Sequence, residues 1–185
     1  MYDVEPIVVG KTVYLAVTTD TRPTDNWGYV SAHHAVSGTQ RWKRAGIPAP
    51  KTPAFEDGTL YFATNASETD GSAGFYALDA DTGETEWRRT DAARWVSPVV
   101  ANGLVYTANR RGAYALDPET GDTFWQADGV GGVAKGASDG ALSYADGTVF
   151  FGDGTALNAT NGAFRWQTTV ESVLGNHLAD DGRVY

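Results

Sequence analysis

The 185-residue sequence contains no cysteine. That excludes disulfides, thiolate metal sites and a cysteine nucleophile, but it leaves the compartment open, since exported proteins also dispense with the residue. Lysine is scarce. Four Lys and ten Arg stand against 16 Asp and seven Glu, a net charge of −9. Such a surface repels a phosphate backbone, so nucleic acid is not an expected partner. An Asp-rich, Lys-poor surface suits concentrated salt, where hydrated carboxylates keep a protein soluble; ordinary acidic drift produces the same composition. No apolar run approaches the roughly 18 residues of a membrane span. Met1 to Pro6 lacks the basic region and apolar stretch of a secretory signal. An extracytoplasmic location would require an export signal further upstream, and the localisation stays unassigned.

What is present is turn-forming and apolar: 22 Gly, seven Pro and 42% hydrophobic residues. This composition excludes wholesale disorder and favours many short elements over long helices. Self-similarity organises them. Tyr76 to Trp87 matches Tyr114 to Trp125 at 8 of 12 positions, as Y-A-L-D-x-x-T-G-x-T-x-W. Thr155 to Trp166 keeps Ala156, Leu157, Gly162 and Trp166, and Ser31 to Trp42 keeps Ala32, Gly38 and Trp42. The tryptophans fall at 42, 87, 125 and 166, each four residues after its glycine. Upstream, Pro53 to Tyr61 and Pro98 to Tyr106 share a distance of 8, which Pro6 to Tyr14 keeps and Leu142 to Phe150 and His177 to Tyr185 keep with substitutions.

Each unit reads as four short strands. In the third, Ser97–Ala101 leads into the Asn102-Gly103 hairpin turn, followed by strands over Leu104–Ala108, Ala113–Leu116 and Thr123–Gln126. Repeats of about 40 residues with four antiparallel strands predict an all-β chain built of β-propeller blades. The expected organisation is one domain over 1–185, with blades at about 1–49, 50–94, 95–137 and 138–174 and an incomplete one at 175–185. Four blades and the opening of a fifth make an unfinished ring, so further blades or a second copy are expected to close it.

The pattern A-x-D-x-x-T-G-x-x-x-W resembles the tryptophan-docking motif of the pyrroloquinoline-quinone-type (quinoprotein-like) propeller repeats. Asp79, Thr82, Gly83 and Trp87 carry it in full, as do Asp117, Thr120, Gly121 and Trp125. Asn158 and Asn161 replace Asp and Thr in the copy ending Gly162 and Trp166; His34 and Ser37 do so in the copy ending Gly38 and Trp42. The resemblance implies that these tryptophans bridge neighbouring blades. The residue chemistry agrees with a structural set: a short acceptor side chain holds a turn, the glycine allows close approach, and the indole seals apolar surface.

Strand order sorts the loops. The inter-blade links and the loops between second and third strands share one face, and only these vary in length. That face is the expected binding face. It carries the two tryptophans outside the motif, Trp27 and Trp95, together with Arg94, Arg110 and Arg111. An aromatic beside arginine suits an interface, although both tryptophans can equally serve local packing. Other chemistry is sparse. His33-His34 falls on a turn and His177 before a strand, with no paired-histidine metal spacing. Gly129 to Gly136 lacks the order of a phosphate loop and reads as a link. Asp20, Asp25, Glu68 and Asp70 do not fit a calcium loop. Asn65 and Asn158 begin sequons.

No catalytic, cofactor-binding or metal set can be assigned by spacing. The expected function is a non-catalytic propeller that binds a protein or surface ligand as a scaffold module, without a cofactor. The alternative is a fragment of a quinoprotein dehydrogenase, an oxidoreductase for which the resemblance implies the quinone and calcium. Its alcohol-oxidising branch would carry an adjacent cysteine pair, which is absent here.

Overall fold

The computed structural model describes residues 3–19, 27–65, 71–131 and 142–168, and the backbone of 179–180 and 183–184. No helix occurs among the described residues. The chain forms two compact units, Met1–Arg94 and Trp95–Tyr185.

The first unit holds two four-stranded antiparallel sheets, each a simple meander. One comprises β1 (Asp3–Val9), β2 (Thr12–Thr18), β3 (Trp27–His34) and β4 (Gln40–Pro48); the other β5 (Ala54–Glu56), β6 (Thr59–Ala63), β7 (Phe75–Asp79) and β8 (Thr85–Arg89). The second unit repeats the arrangement with β9 (Val99–Ala101), β10 (Leu104–Ala108), β11 (Gly112–Leu116) and β12 (Thr123–Asp128), then β13 (Ser143–Ala145), β14 (Thr148–Phe150), β15 (Thr155–Asn158) and β16 (Phe164–Gln167). A two-stranded piece, β17 (Ala179–Asp180) with β18 (Arg183–Val184), follows. The all-β chain of four-stranded antiparallel blades read from the repeat is the fold observed.

Local chemistry explains the elements. Asp57-Gly58, Asn102-Gly103 and Asp146-Gly147 all have positive φ at both positions, the backbone that a two-residue hairpin turn matched to strand twist requires. Ser97 and Pro98, expected in a strand, precede β9 instead. A proline cannot donate to the ladder, and pairing begins at Val99. Pro6 lies inside β1, paired with Leu15 on a strand that has a neighbour on one side only, where a missing N–H is tolerated.

Burial concentrates on second and third strands. Phe75–Leu78 and Gly112–Leu116 are buried along their lengths. In the first unit the core joins Tyr14, Val30, Leu60, Phe62, Tyr76 and Leu78 across the two sheets. In the second it joins Tyr106, Ala115, Trp125, Val149, Phe151 and Leu157. The fourth strands β8 and β16 lie largely in solvent.

Candidate functional site

The motif turns are built alike in all four blades. Asp79 Oδ1 accepts the Thr82 N–H at 2.7 Å and the Asp81 N–H at 3.0 Å, and Thr82 Oγ1 accepts the Glu84 N–H at 3.2 Å. Asp117 Oδ1 accepts from Thr120 N–H at 2.9 Å and Thr120 Oγ1 from Asp122 N–H at 3.2 Å. Where the side chains differ, acceptors persist. Asn158 Oδ1 takes the Thr160 N–H at 2.9 Å, Asn161 Oδ1 the Ala163 N–H at 3.0 Å, and His34 Nδ1 the Ser37 N–H at 3.2 Å. The Thr82 backbone N–H and hydroxyl hold the Asp79 carboxyl below the usual carboxylate range. It is a turn acceptor in its ionised form, poorly suited to serve as a base.

Each turn closes on a glycine with φ near the left-handed region, 75° at Gly83 and Gly121 and 70° at Gly38 and Gly162. Two of these receive an indole from the preceding sheet. Trp42 Nε1 donates to the Ala80 carbonyl at 2.8 Å, and a Cβ on Gly83 would lie 2.7 Å from the Trp42 ring. Trp125 Nε1 donates to the Ala159 carbonyl at 2.8 Å, and a Cβ on Gly162 would lie 2.6 Å from the Trp125 ring. Trp87 stacks on Phe75 with ring centroids 5.9 Å apart. Trp166 tilts against Phe150 at 5.8 Å and is 45% exposed.

On the loop side of the second unit, Trp95 does not present its indole to the surface. It is 2% exposed and meets Tyr114 edge-on at 5.2 Å. Strand-like parity explains the difference from its neighbour: Arg94, the last residue of the first unit, is exposed and bridges Asn65, whereas Trp95 bridges Asn109 and turns inward. Arg110 and Arg111 are exposed on the β10–β11 loop. That loop is pinned: Asn109 N–H donates to the Gly112 carbonyl at 3.0 Å, Asn109 Oδ1 accepts the Arg111 N–H at 2.8 Å, and Gly129 N–H donates to the Arg111 carbonyl at 2.7 Å. Trp27 begins β3, paired with Pro48, and its side chain lies outside the described residues.

Asn109 is a residue that pattern reading missed. It is buried, its Nδ2 has no partner, and it stands three residues beyond Tyr106. Asp153 stands three beyond Phe150 and takes the Thr155 N–H at 3.0 Å in the same way; Thr64, three beyond Tyr61, bonds the Gly74 N–H at 2.7 Å. A polar residue at that fixed offset was the available signal. His33 bridges the Ser31 hydroxyl and the Gly38 carbonyl, a local role. His177, Asp20, Asp25, Glu68, Asp70 and the link over 132–141 lie outside the described residues. Among the described residues no cluster of three acidic, histidine or cysteine side chains forms a metal site, and no helix is long and apolar enough to cross a membrane.

Repeated blades, hairpin turns and loop-borne side chains define a β-propeller repeat protein. The family described as outer membrane protein assembly factor BamB matches residues 26–181, and the chain belongs to that family of PQQ-type propeller repeats. Among solved structures it resembles BamB from Moraxella catarrhalis at 22% identity with a TM-score of 0.69, covering 97% of this chain and 52% of that one. It also resembles the quinohemoprotein alcohol dehydrogenase ADHIIG from Pseudomonas putida HK5, at 19% identity and TM-score 0.64 over 97% of this chain and 37% of that one. The V. cholerae biofilm matrix protein Bap1 is similar at 16% identity and TM-score 0.55, over 97% of this chain and 33% of that one. The chain thus spans about half the length of the BamB structure and less of the others. No curated protein matches it by sequence.

Proposed function

We propose that the chain is a non-catalytic propeller module that binds a protein partner through its loop face, with Arg110 and Arg111 of the second unit as the contact residues. The observation that carries this reading is the pinned β10–β11 loop. Its two arginines project from a hydrogen-bonded frame seated on the buried Trp95–Tyr114 pair, so little side-chain support has to be ordered on binding. On a chain of net charge −9, adjacent arginines form a local cationic feature suited to carboxylates on a partner. The kinship with an outer membrane protein assembly factor supports a role in assembly over one in turnover.

The test compares wild-type chain with the Arg110→Glu, Arg111→Glu double variant in affinity capture from extract of the source cell. A specific protein held by the wild type and lost by the variant supports the reading; identical capture by both sinks it. The same preparation is titrated with pyrroloquinoline quinone and calcium. Unchanged melting is expected, and a melting shift accompanied by dye-linked alcohol oxidation would replace the binding reading with the dehydrogenase one.

A further inference from the structure

From Asn26 to Phe55 the sequence has no Asp or Glu, although the whole chain has 23. The same stretch holds Arg41, Lys43, Arg44 and Lys51. Three of these cations lie on β4, the outermost strand of the first sheet, which pairs with β3 only. β4 is also the longest outer strand: nine residues, against five in β8, six in β12 and four in β16. Its charge sets it apart as well. β8 mixes Glu86 with Arg88 and Arg89, β12 has Asp128 and no cation, and β16 has Arg165 alone.

Strand alternation places the β4 cations on both faces of the strand. Arg44 shares a face with Trp42, and its Nη2 donates to the Thr85 hydroxyl at 3.3 Å. Arg41 and Lys43 lie on the other face, where the Lys43 ammonium stands 3.7 Å from the centroid of the Tyr29 ring. Gln40, Arg41 and the run from Lys43 to Gly46 are exposed, and among the described residues the outer side of β4 has no partner strand. This exposure belongs to the outer-strand position. Glu86 and Arg88 hold the places of Arg41 and Lys43 on a sheet that packs against the one before it, and they are exposed too.

We propose that the outer edge of β4 is a docking strand for an acidic, extended segment of a partner protein, which adds as a fifth strand along Gln40 to Gly46 with its carboxylates against Arg41, Lys43 and Arg44. Strand addition draws affinity from unpaired N–H and C=O groups and selectivity from alternating side chains. An added strand alternates as well, so carboxylates on each of its faces meet a cation. Charge identifies the occupant. Two β4 edges repel one another, and the overall charge of −9 opposes a long polyanion, whereas a short acidic segment meets the local field of the strand. Edge strands commonly carry charge that prevents pairing. Cations act that way against basic strands and in the opposite sense against acidic ones. The edge is separate from Arg110 and Arg111, so either site can fail without the other.

The experiment titrates the chain with a peptide alternating threonine and glutamate over about ten residues, in about 0.1 M salt, where charges beyond about 10 Å are screened. Saturable binding is expected, weaker in about 0.5 M salt, with slowed hydrogen exchange at the β4 amides that point away from β3. A threonine–glutamine peptide removes the charge. A threonine–glutamate peptide N-methylated along its pairing side removes the ladder donors. Both are expected to bind at least about tenfold more weakly. On the protein side, the triple variant Arg41→Gln, Lys43→Gln, Arg44→Gln is expected to lose at least about tenfold in affinity at an unchanged melting temperature, since all three side chains are exposed. No binding of the threonine–glutamate peptide overturns the proposal. So does equal binding of the N-methylated peptide, protection confined to amides outside β4, or a triple variant that binds as the wild type does. Phosphatidylglycerol vesicles held by the wild type and not by the triple variant, with no binding of the peptide, would assign the edge to a membrane surface and overturn it too.

Discussion

Trp125 donates its indole N–H to the carbonyl of Ala159 at 2.8 Å, reaching from the outer strand of one sheet to the turn of the next. Trp42 does the same to Ala80, also at 2.8 Å. The indole ring at each place covers a glycine, so one side chain supplies apolar area, a directed hydrogen bond and a steric fit.

Separating those contributions is a matter of two substitutions. Trp125→Phe keeps an aromatic ring but leaves the buried Ala159 carbonyl without its donor, an expected loss of about 1–3 kcal/mol. Trp125→Ala also removes the packing and is expected to cost about 3–5 kcal/mol. Urea unfolding curves decide it; equal losses for the two variants would mean that the hydrogen bond carries all of the effect.

The glycines allow a matched comparison. Gly38 and Gly162 share a φ of 70°, but only Gly162 lies under an indole. Alanine at either costs about 1 kcal/mol for the left-handed backbone. At Gly162 the new Cβ also strikes the Trp125 ring, adding about 1–3 kcal/mol. Thermal melts are expected to rank Gly162→Ala well below Gly38→Ala.

Asp79 accepts three hydrogen bonds from its own turn. Asp79→Ala is expected to lose about 1 kcal/mol, and Asp79→Asn less, because Asn158 already fills the corresponding place with an amide oxygen. The folded-state pKa of Asp79 is depressed, so its ionic contribution is present above the ordinary carboxylate pKa near ~4 and is lost as pH falls through the lower folded value. The gap between wild type and Asp79→Asn is therefore expected at pH 7 and should close toward pH 3 in parallel urea titrations.

Alkali should act through Tyr106. Burial, with a smaller contribution from Tyr144, raises its pKa to about 12. A raised folded value means that stability is intact below about 10, where both states are protonated, and is lost between about 10 and 12 as the unfolded chain ionises first. Burial raises Tyr14 and Tyr61 in the same direction. The melting temperature is expected to fall across that window, and Tyr106→Phe should flatten the fall. An unchanged slope in the variant would exclude Tyr106 as its source.

Much of this was legible from residue order. Glycine followed four residues later by tryptophan marks the turn and outer strand because each residue has one task there, and Asp-Gly or Asn-Gly between apolar runs marks a hairpin. Other features were not legible. The third strand of every blade shifts register at one equivalent place, after Ala32, Ala77, Ala115 and Ala156. A bulge reflects which of two successive residues keeps its partner, and that depends on pairing rather than composition. The inward turn of Trp95 was likewise hidden, since a tryptophan beside an arginine in a short link can face either way until the bridge to Asn109 sets its parity.

Residue order alone therefore decided that the chain makes repeated four-stranded units and where their turns fall, because turn chemistry and period-two alternation are local. Tertiary structure decided which indoles are covered and which loop side chains are held rigid. Trp125 and Trp166 occupy equivalent places in repeats that share only Ala, Leu, Gly and Trp of twelve positions, yet one is 8% and the other 45% exposed. The Trp125 ring is covered because the next sheet brings the Ala159 carbonyl and Gly162 against it, and burial is a property of neighbours that no single repeat encodes.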